Sequence, residues 1–427
     1  MPKTALSALA SVAVHDIRLR RRGLAFRAGA GGSDEERARI DTLSAAAQAL
    51  THADPPRARY YHHRALALAL TSGDPGRSLR QLIFERCFRA SMRGAAPPTP
   101  FDDEVERRID QLLASIRGDA PDQVAARAFA AFGLGMALAF AARHREARPL
   151  LERAEAVLST CAVRHGNDVT LARVWLVTTL YGLGETAELT RRTAPFLADA
   201  RAAGDRFAEI QLTGFDAFSK LAADRVSEAE EALSHMLDLL PRRHPPPRFA
   251  GFSPTMSTNL YREGGVGEAA LRAAPKGAQR LALFFILRIN APIRAYHTFF
   301  VALCQLAAGA SSSGSVREAR LRSVEASASG LSPDATPFAT AAASILRAGA
   351  AAGRGELDLA RVRCEEAEAR CARLDMAHYV AALRRRRGVL LGGDEGRALV
   401  SAADAEMRKQ GIVNPQRITS MYLPGRW

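Results

Sequence analysis

Ala131-Phe132-Gly133-Leu134-Gly135-Met136-Ala137-Leu138 is uncharged and rich in small residues, and Ala147, Leu151 and Ala154 follow it at spacings of four and three. Apolar positions three and four apart share one face of an α-helix, so the two stretches read as consecutive helices with facing apolar stripes. Gly135 and Ala147 carry almost no side chain, which lets the two helices approach closely, while Leu138 and Leu151 fill the space beside them. A helix that is apolar on one side must bury that side against another element. The stretch therefore predicts an antiparallel helix hairpin.

The same arrangement recurs along the chain. A glycine followed by an acidic residue appears at Gly73-Asp74, Gly118-Asp119, Gly184-Glu185, Gly204-Asp205, Gly355-Glu356 and Gly393-Asp394. Glycine can end a helix in the left-handed conformation, and the acidic residue then caps the next helix. These marks predict helices of about 15 residues joined by tight turns. The spacing in 131–154 is similar to that of tetratricopeptide repeats. Residues 348–374 repeat it more loosely, with Gly355, Ala360 and Ala367 in the equivalent places, and Tyr181-Gly182-Leu183-Gly184 followed by Phe196 is a degenerate form. A hairpin period of roughly 35 to 45 residues points to a repeat array. The fold expected is all-α, a tetratricopeptide-like superhelical array of antiparallel hairpins (an α-solenoid). Three segments divide it: an N-terminal helical segment at 1–94, repeats at 101–310, and C-terminal repeats with a capping segment at 316–427, forming one continuous solenoid.

Composition agrees with helix. The 427 residues are 48% hydrophobic and 24% charged but only 6% aromatic, and alanine makes up about a fifth, a bias toward helix over sheet. Collagenous, disulfide-stapled and membrane classes are excluded. The net charge of +14 would fit an anionic partner, yet only four of the 59 basic residues are lysine (Lys3, Lys220, Lys276, Lys409). A GC-rich genome supplies both the alanine and the arginine excess without selection for such a partner. Five cysteines without a C-x-x-C pair fit a reducing compartment, and Cys364 and Cys371, seven apart on one helix face, read as core. Residues 4–14 are mildly apolar but precede Arg18, Arg20, Arg21 and Arg22, the reverse of a secretory signal. The longest uncharged apolar run, Ala128 to Ala142, is short for a membrane span and reads as a buried helix, while the 284–300 region is cut by Arg288 and Arg294. No membrane span and a cytoplasmic location are expected.

Three stretches interrupt the hairpins. Gly94 to Pro100 reads as a turn or linker, Pro241 to Pro254 as an exposed, non-helical, proline-rich loop, and Gly309 to Ser315 as a flexible link.

Motifs of catalysis are missing. No G-x-x-x-x-G-K-[ST] loop is present, and Gly29-Ala30-Gly31-Gly32 lacks the lysine that would reach a phosphate. Kinase elements, H-E-x-x-H and G-x-S-x-G are absent too. His62 and His63, beside Tyr60 and Tyr61, point about 100° apart on a helix, so they read as a partly exposed helix face and not as a metal site. His144, His235, His297 and His378 stand alone, without an acid or nucleophile at useful spacing. The carboxylates Asp102-Asp103-Glu104 and Glu365-Glu366 fit helix starts and solvent faces. Arg20-Arg21-Arg22 and Arg384-Arg385-Arg386-Arg387 read as solvated helix ends. Their contact with nucleic acid would be non-specific and salt-sensitive, with no aromatic platform beside them.

Toward the C-terminus, Arg384 to Arg387, Gly388, Leu390-Leu391-Gly392-Gly393-Asp394-Glu395-Gly396, Ala403-Asp404, Met407, Gln410-Gly411-Ile412, Asn414-Pro415 and Arg417 form a distinctive run. It resembles the tail of the helical repeat region that follows the kinase domain in large bacterial serine/threonine protein kinases. Arg39-Ile40-Asp41, Asp54, Arg57, Leu66-Ala67-Leu68-Ala69-Leu70, Gly73 and Pro75 are similar to the start of that region, and Arg20, Gly23-Leu24 and Phe26-Arg27 to the segment just upstream. Glu406 stands where tryptophan is usual and Ile418 where methionine is. The resemblance spans nearly the whole chain, but no position matches a kinase residue, because the family's catalysis resides in a domain this sequence does not contain.

The resemblance implies a non-catalytic interaction or sensor scaffold tied to serine/threonine kinase signalling. A concave groove between stacked hairpins would hold a protein or peptide segment, with acidic segments favoured by charge. The helices around 128–143 and 171–183 would supply groove positions. No catalytic, cofactor or metal residue is assigned. The alternatives are the regulatory part of a split or truncated kinase, and a basic nucleic-acid-binding repeat protein. A positive stripe along one face would favour the latter; arginines spread out and paired with acids would not.

Overall fold

The computed structural model describes residues 5–26, 32–51, 54–94, 96–116, 118–161, 167–240, 249–262, 271, 290–331 and 336–427. Among them are nineteen helices and no strand. The first nine are α1 (Ala5–Arg22), α2 (Asp34–Leu50), α3 (Pro55–Ser72), α4 (Pro75–Arg93), α5 (Pro100–Ser115), α6 (Pro121–Phe140), α7 (His144–Thr160), α8 (Asp168–Leu183) and α9 (Thr186–Ala202). Then come α10 (Arg206–Ala222), α11 (Val226–Leu239), α12 (Phe249–Tyr261), α13 (Ala291–Ala310) and α14 (Gly314–Leu331). The chain closes with α15 (Pro337–Arg354), α16 (Leu357–Arg373), α17 (Ala377–Leu391), α18 (Gly393–Lys409) and α19 (Pro415–Tyr422).

Local chemistry accounts for most helix ends. Ser33 with Glu36 and Thr99 with Asp102 form capping boxes, and proline follows the cap at the start of α5, α13, α15 and α19. Gly73 closes α3 at φ 78° and Gly355 closes α15 at φ 83°, as the glycine punctuation predicts. The acidic half of that pattern is met unevenly. Asp74 and Asp205 accept from the backbone of Arg77 and Ala208, whereas Glu185 and Glu356 make no side-chain cap bond. Glutamate carries one methylene more than the short side chains that serve best as caps.

Two expected breaks are shorter than the sequence implies. Gly309 is buried inside α13, and α14 starts at Gly314, so the flexible link is a turn at Ser311–Ser313. The proline-rich stretch is helical from Phe249, with Pro254 inside α12, where it removes one backbone hydrogen bond. Residues 241–248 of that loop, and Gly29 to Gly31, lie outside the described residues. Of the linker expected at 94–100, the described residues 94 and 96–99 are non-helical, while Pro100 already opens α5 behind its cap Thr99.

Two compact units divide the chain. Unit one comprises 1–92, 96–138 and 149–172, and unit two comprises 93–95, 139–148 and 173–427. In unit one, α3 packs on both α1 and α2, and Leu66, Leu70, Leu79, Leu82 and Ile83 are fully buried. One described helix, α6, is long and apolar enough to cross a membrane; Phe129 and Phe132 on it are buried.

In unit two each helix packs on its sequence neighbour from α9 to α12 and again from α13 to α18. The alanine excess is explained best by α15. Ala339, Ala341, Ala342, Ala343, Ala348, Ala350 and Ala351 are all buried, so this helix is surrounded on every side. Small side chains let α13, α14 and α16 close on it, and a Cβ on Gly349 would come within 2.7 Å of Leu306. The looser repeat at 348–374 is a true hairpin, with Ala360 and Ala367 sealed in the α15–α16 contact.

Candidate interaction site

Among the described helices of unit two, the terminal helix α19 makes the contact most distant in sequence: it packs on α12 as well as on α17 and α18. Its start is locally determined: Asn414 accepts from the Arg417 backbone N–H at 3.2 Å, and Pro415 occupies the first helical position. The approach is fixed by the turn after α10. Val413 donates its backbone N–H to the Ala222 carbonyl at 2.8 Å, while Asn414 Nδ2 and Arg417 Nη1 donate to Asp224 at 3.2 and 2.7 Å. Tyr261 Oη donates to the same carboxylate at 2.8 Å, and the Arg417 guanidinium lies 4.6 Å from the Tyr261 ring. Asp224 is held at φ 59°, a left-handed conformation that aspartate tolerates better than most residues. Burial would raise its carboxyl, but the bonds from Tyr261, Asn414 and Arg417 outweigh that and hold it below the usual range.

Beyond Arg417 the segment is apolar and enclosed. Ile418, Met421, Tyr422 and Leu423 are buried. Tyr422 meets Tyr379 at 5.0 Å, His378 at 5.1 Å and Phe218 at 6.4 Å between ring centres, with the rings tilted against one another. Arg386 Nη2 donates to the Leu423 carbonyl at 2.8 Å, and Arg426 Nε to the Ala310 carbonyl at 3.0 Å. The Trp427 indole packs on Ala351, Ala352 and Ala360. Residues 413–427 thus touch α10, α12, α13, α15, α16, α17 and α18.

The segments expected to supply groove positions, read as core as much as surface, hold many buried residues. Ala128, Phe129, Ala130, Phe132 and Ala139 are buried, as are Ala172, Val174, Leu176, Val177 and Leu180. Both stretches are core, and only Leu134 among the large apolar residues of the first is exposed. What sequence reasoning missed is the role of Asn414-Pro415-x-Arg417. Its cap and proline are legible, but the acid that receives Arg417 is some 190 residues away.

A second constellation sits in unit one. His62 and His63 are buried, contrary to the expected exposed face, because α3 is covered on two sides and adjacent residues point to different ones. His62 Nε2 donates to Glu85 of α4 at 3.0 Å, while His63 Nε2 lies 3.1 Å from Asp16 of α1. Arg59 pairs with Glu85 through both of its terminal nitrogens and stacks 3.9 Å from the Phe88 ring. Arg89 pairs with Asp102, which completes the capping box of α5 with Thr99. Burial alone would raise the fully buried Glu85 carboxyl, but the Arg59 charge and the His62 hydrogen bond hold it well below the carboxylate range. Burial, aided by the Arg59 charge, pushes His63 down to about 4. Each acid here is committed to a guanidinium, an imidazole or a helix cap, so the cluster joins helices.

The arginine run is likewise no solvated end. It lies within α17: Arg384 pairs with Glu368 at 2.9 Å, Arg385 with Asp404 at 2.7 Å, and Arg387 with Glu368 at 3.4 Å. Four consecutive residues circle the helix, and here α16, α18 and α19 each receive part of the circle. His144 and His378 are buried against the backbones of Gly182 and Gly184, which burial pushes down to about 4 and about 3 respectively. Cys364 and Cys371 are buried free thiols, both pushed up to about 12 by burial. Among the described residues no group of three histidine, cysteine or carboxylate side chains is placed to hold a metal. Searches against protein-family models and curated proteins give no match for this chain.

Proposed function

We propose that the chain is a non-catalytic interaction scaffold, a tetratricopeptide-like superhelix that binds a protein or peptide segment in serine/threonine kinase signalling. The observation carrying this reading is the seat of residues 413–427. Unit two holds that segment with backbone carbonyls of Ala222 and Ala310, a carboxylate clamp at Asp224 and an aromatic enclosure around Tyr422. Anchor pockets combined with backbone and charged contacts are the means by which helical arrays grip a segment of protein. The net charge of +14 favours acidic partners and makes association salt-sensitive. The kinase link rests on the sequence resemblance, and a reducing, cytoplasmic setting on the five free thiols. Arginines engaged one by one with acids, such as Arg80 with Asp168 and Arg354 with Glu325, do not favour a nucleic-acid surface.

The test is affinity capture with the full-length chain as bait, from lysate of its native cells at about 150 mM salt with nuclease added. A serine/threonine kinase or another discrete protein, identified by mass spectrometry and retained after nuclease, supports the proposal. Capture of nucleic acid alone, with nothing left after nuclease, overturns it.

A further inference from the structure

Arg386 is a half-buried cation with no anion beside it among the described residues. Its three neighbours in the run each meet a carboxylate, whereas Arg386 Nη2 meets only neutral oxygens: the Leu423 carbonyl at 2.8 Å and Ser420 Oγ at 3.2 Å. Its Nε is buried and has no acceptor. The Trp427 ring, 5.4 Å away, covers it. A charge withdrawn from water is ordinarily paired, because desolvation is costly otherwise. Burial accordingly pulls this guanidinium down to about 10, with the Arg385 charge adding to the effect.

We propose that Ser420 and Arg386 form a phosphoserine site, in which the guanidinium is the built receptor for a phosphate carried on the Ser420 hydroxyl. Ser420 is half-buried on the terminal helix α19, and its oxygen already faces the cation. The phosphoryl group comes from a nucleoside triphosphate through a protein kinase acting in trans. Ser420 Oγ bonds to the γ-phosphorus, the bond to the bridging β-phosphate oxygen breaks, the diphosphate leaves, and the hydroxyl proton passes to the kinase's base. The product carries close to two negative charges and three acceptor oxygens at neutral pH. They neutralise the half-buried cation and give its buried, unpartnered Nε an acceptor in the forked geometry arginine offers. The same guanidinium holds the Leu423 carbonyl and underlies Trp427, so modification tightens the tail from α19 to Trp427. The proposal concerns control of the tail and holds whichever partner the scaffold binds.

The experiment installs phosphoserine at position 420 of the full-length protein by codon suppression, with and without Arg386→Met. Hydrogen exchange of residues 415–427 is expected to slow on the order of tenfold on phosphorylation, and the slowing to vanish in Arg386→Met. Phosphate titration by 31P NMR, in the chain with Arg386 intact, is expected to move the second ionisation below its ordinary value of about 6. An unshifted phosphate overturns the proposal even if Arg386→Met fails to fold. So does exchange that stays the same or speeds up, or that slows equally without Arg386.

Discussion

Asp224 gathers Tyr261, Asn414 and Arg417 onto one carboxylate from a left-handed turn. Asp224→Asn keeps the shape but removes the charge that makes the Arg417 bond strong, and is expected to cost about 1–2 kcal/mol in urea denaturation. An unchanged denaturation midpoint would show the clamp to be incidental. Glu85 is the harsher case. Breaking a buried ion pair by removing one partner strands the other, so Glu85→Gln beside Arg59 is expected to cost about 3–5 kcal/mol. The buried histidines set the acid limb of stability. His63, His144 and His378 titrate at about 4, about 4 and about 3 in the folded chain, against an ordinary 6.5. The unfolded chain therefore binds protons first, and stability is lost as pH falls from about 6.5 toward 4. Urea midpoints taken between about pH 7 and pH 5 should decline; a flat or rising trend would contradict the burial of these rings. None of this was legible in the sequence. Adjacent histidines look like a surface pair until α1 and α4 are known to cover α3 from two sides.

Elements were far more legible than their partners. Gly73 and Gly355 mark helix ends through local backbone chemistry, and Ser33, Thr99 and Asn414 mark starts by caps that need only three residues. The reading failed where tertiary contact supplies the reason. Gly309 belongs to a helix because it packs there, and the arginine run belongs to the middle of α17 because three helices receive it. Gly388, inside that helix, illustrates the same dependence. A Cβ there would come within 2.7 Å of the Gly396 carbonyl oxygen, which is backbone and cannot swing aside. Gly388→Ala raises helix propensity by about 1 kcal/mol, yet forcing α17 from α18 is expected to leave a net loss of about 1–2 kcal/mol. A thermal midpoint that rises in this variant would show that the two helices do not approach so closely.

At the scale of the whole chain, the two units are held by different means. Unit one buries ion pairs between α1, α3, α4 and α5, whereas unit two packs alanine faces and then draws its last residues back over earlier helices. The hairpin period foretold the alanine packing, since each hairpin needs only its neighbour. It could not foretell the return, because a contact between Val413 and Ala222 leaves no periodic mark. That return yields a prediction peculiar to this chain. In a linear repeat array, stability is a sum of nearest-neighbour terms, and removing the last element loosens only the one before it. Here a stop codon in place of Val413 removes the donors to Ala222, Asp224 and Ala310 together with the ring that Phe218 and Tyr379 face. Hydrogen exchange in the shortened chain is therefore expected to quicken in α10 and α12 as well as in α17 and α18. The rise in α10 and α12 decides the matter, because those helices stand far from the cut in sequence. Quickening confined to α17 and α18 would mean that the terminal segment merely caps its neighbours, and that the remaining hairpins hold one another without it.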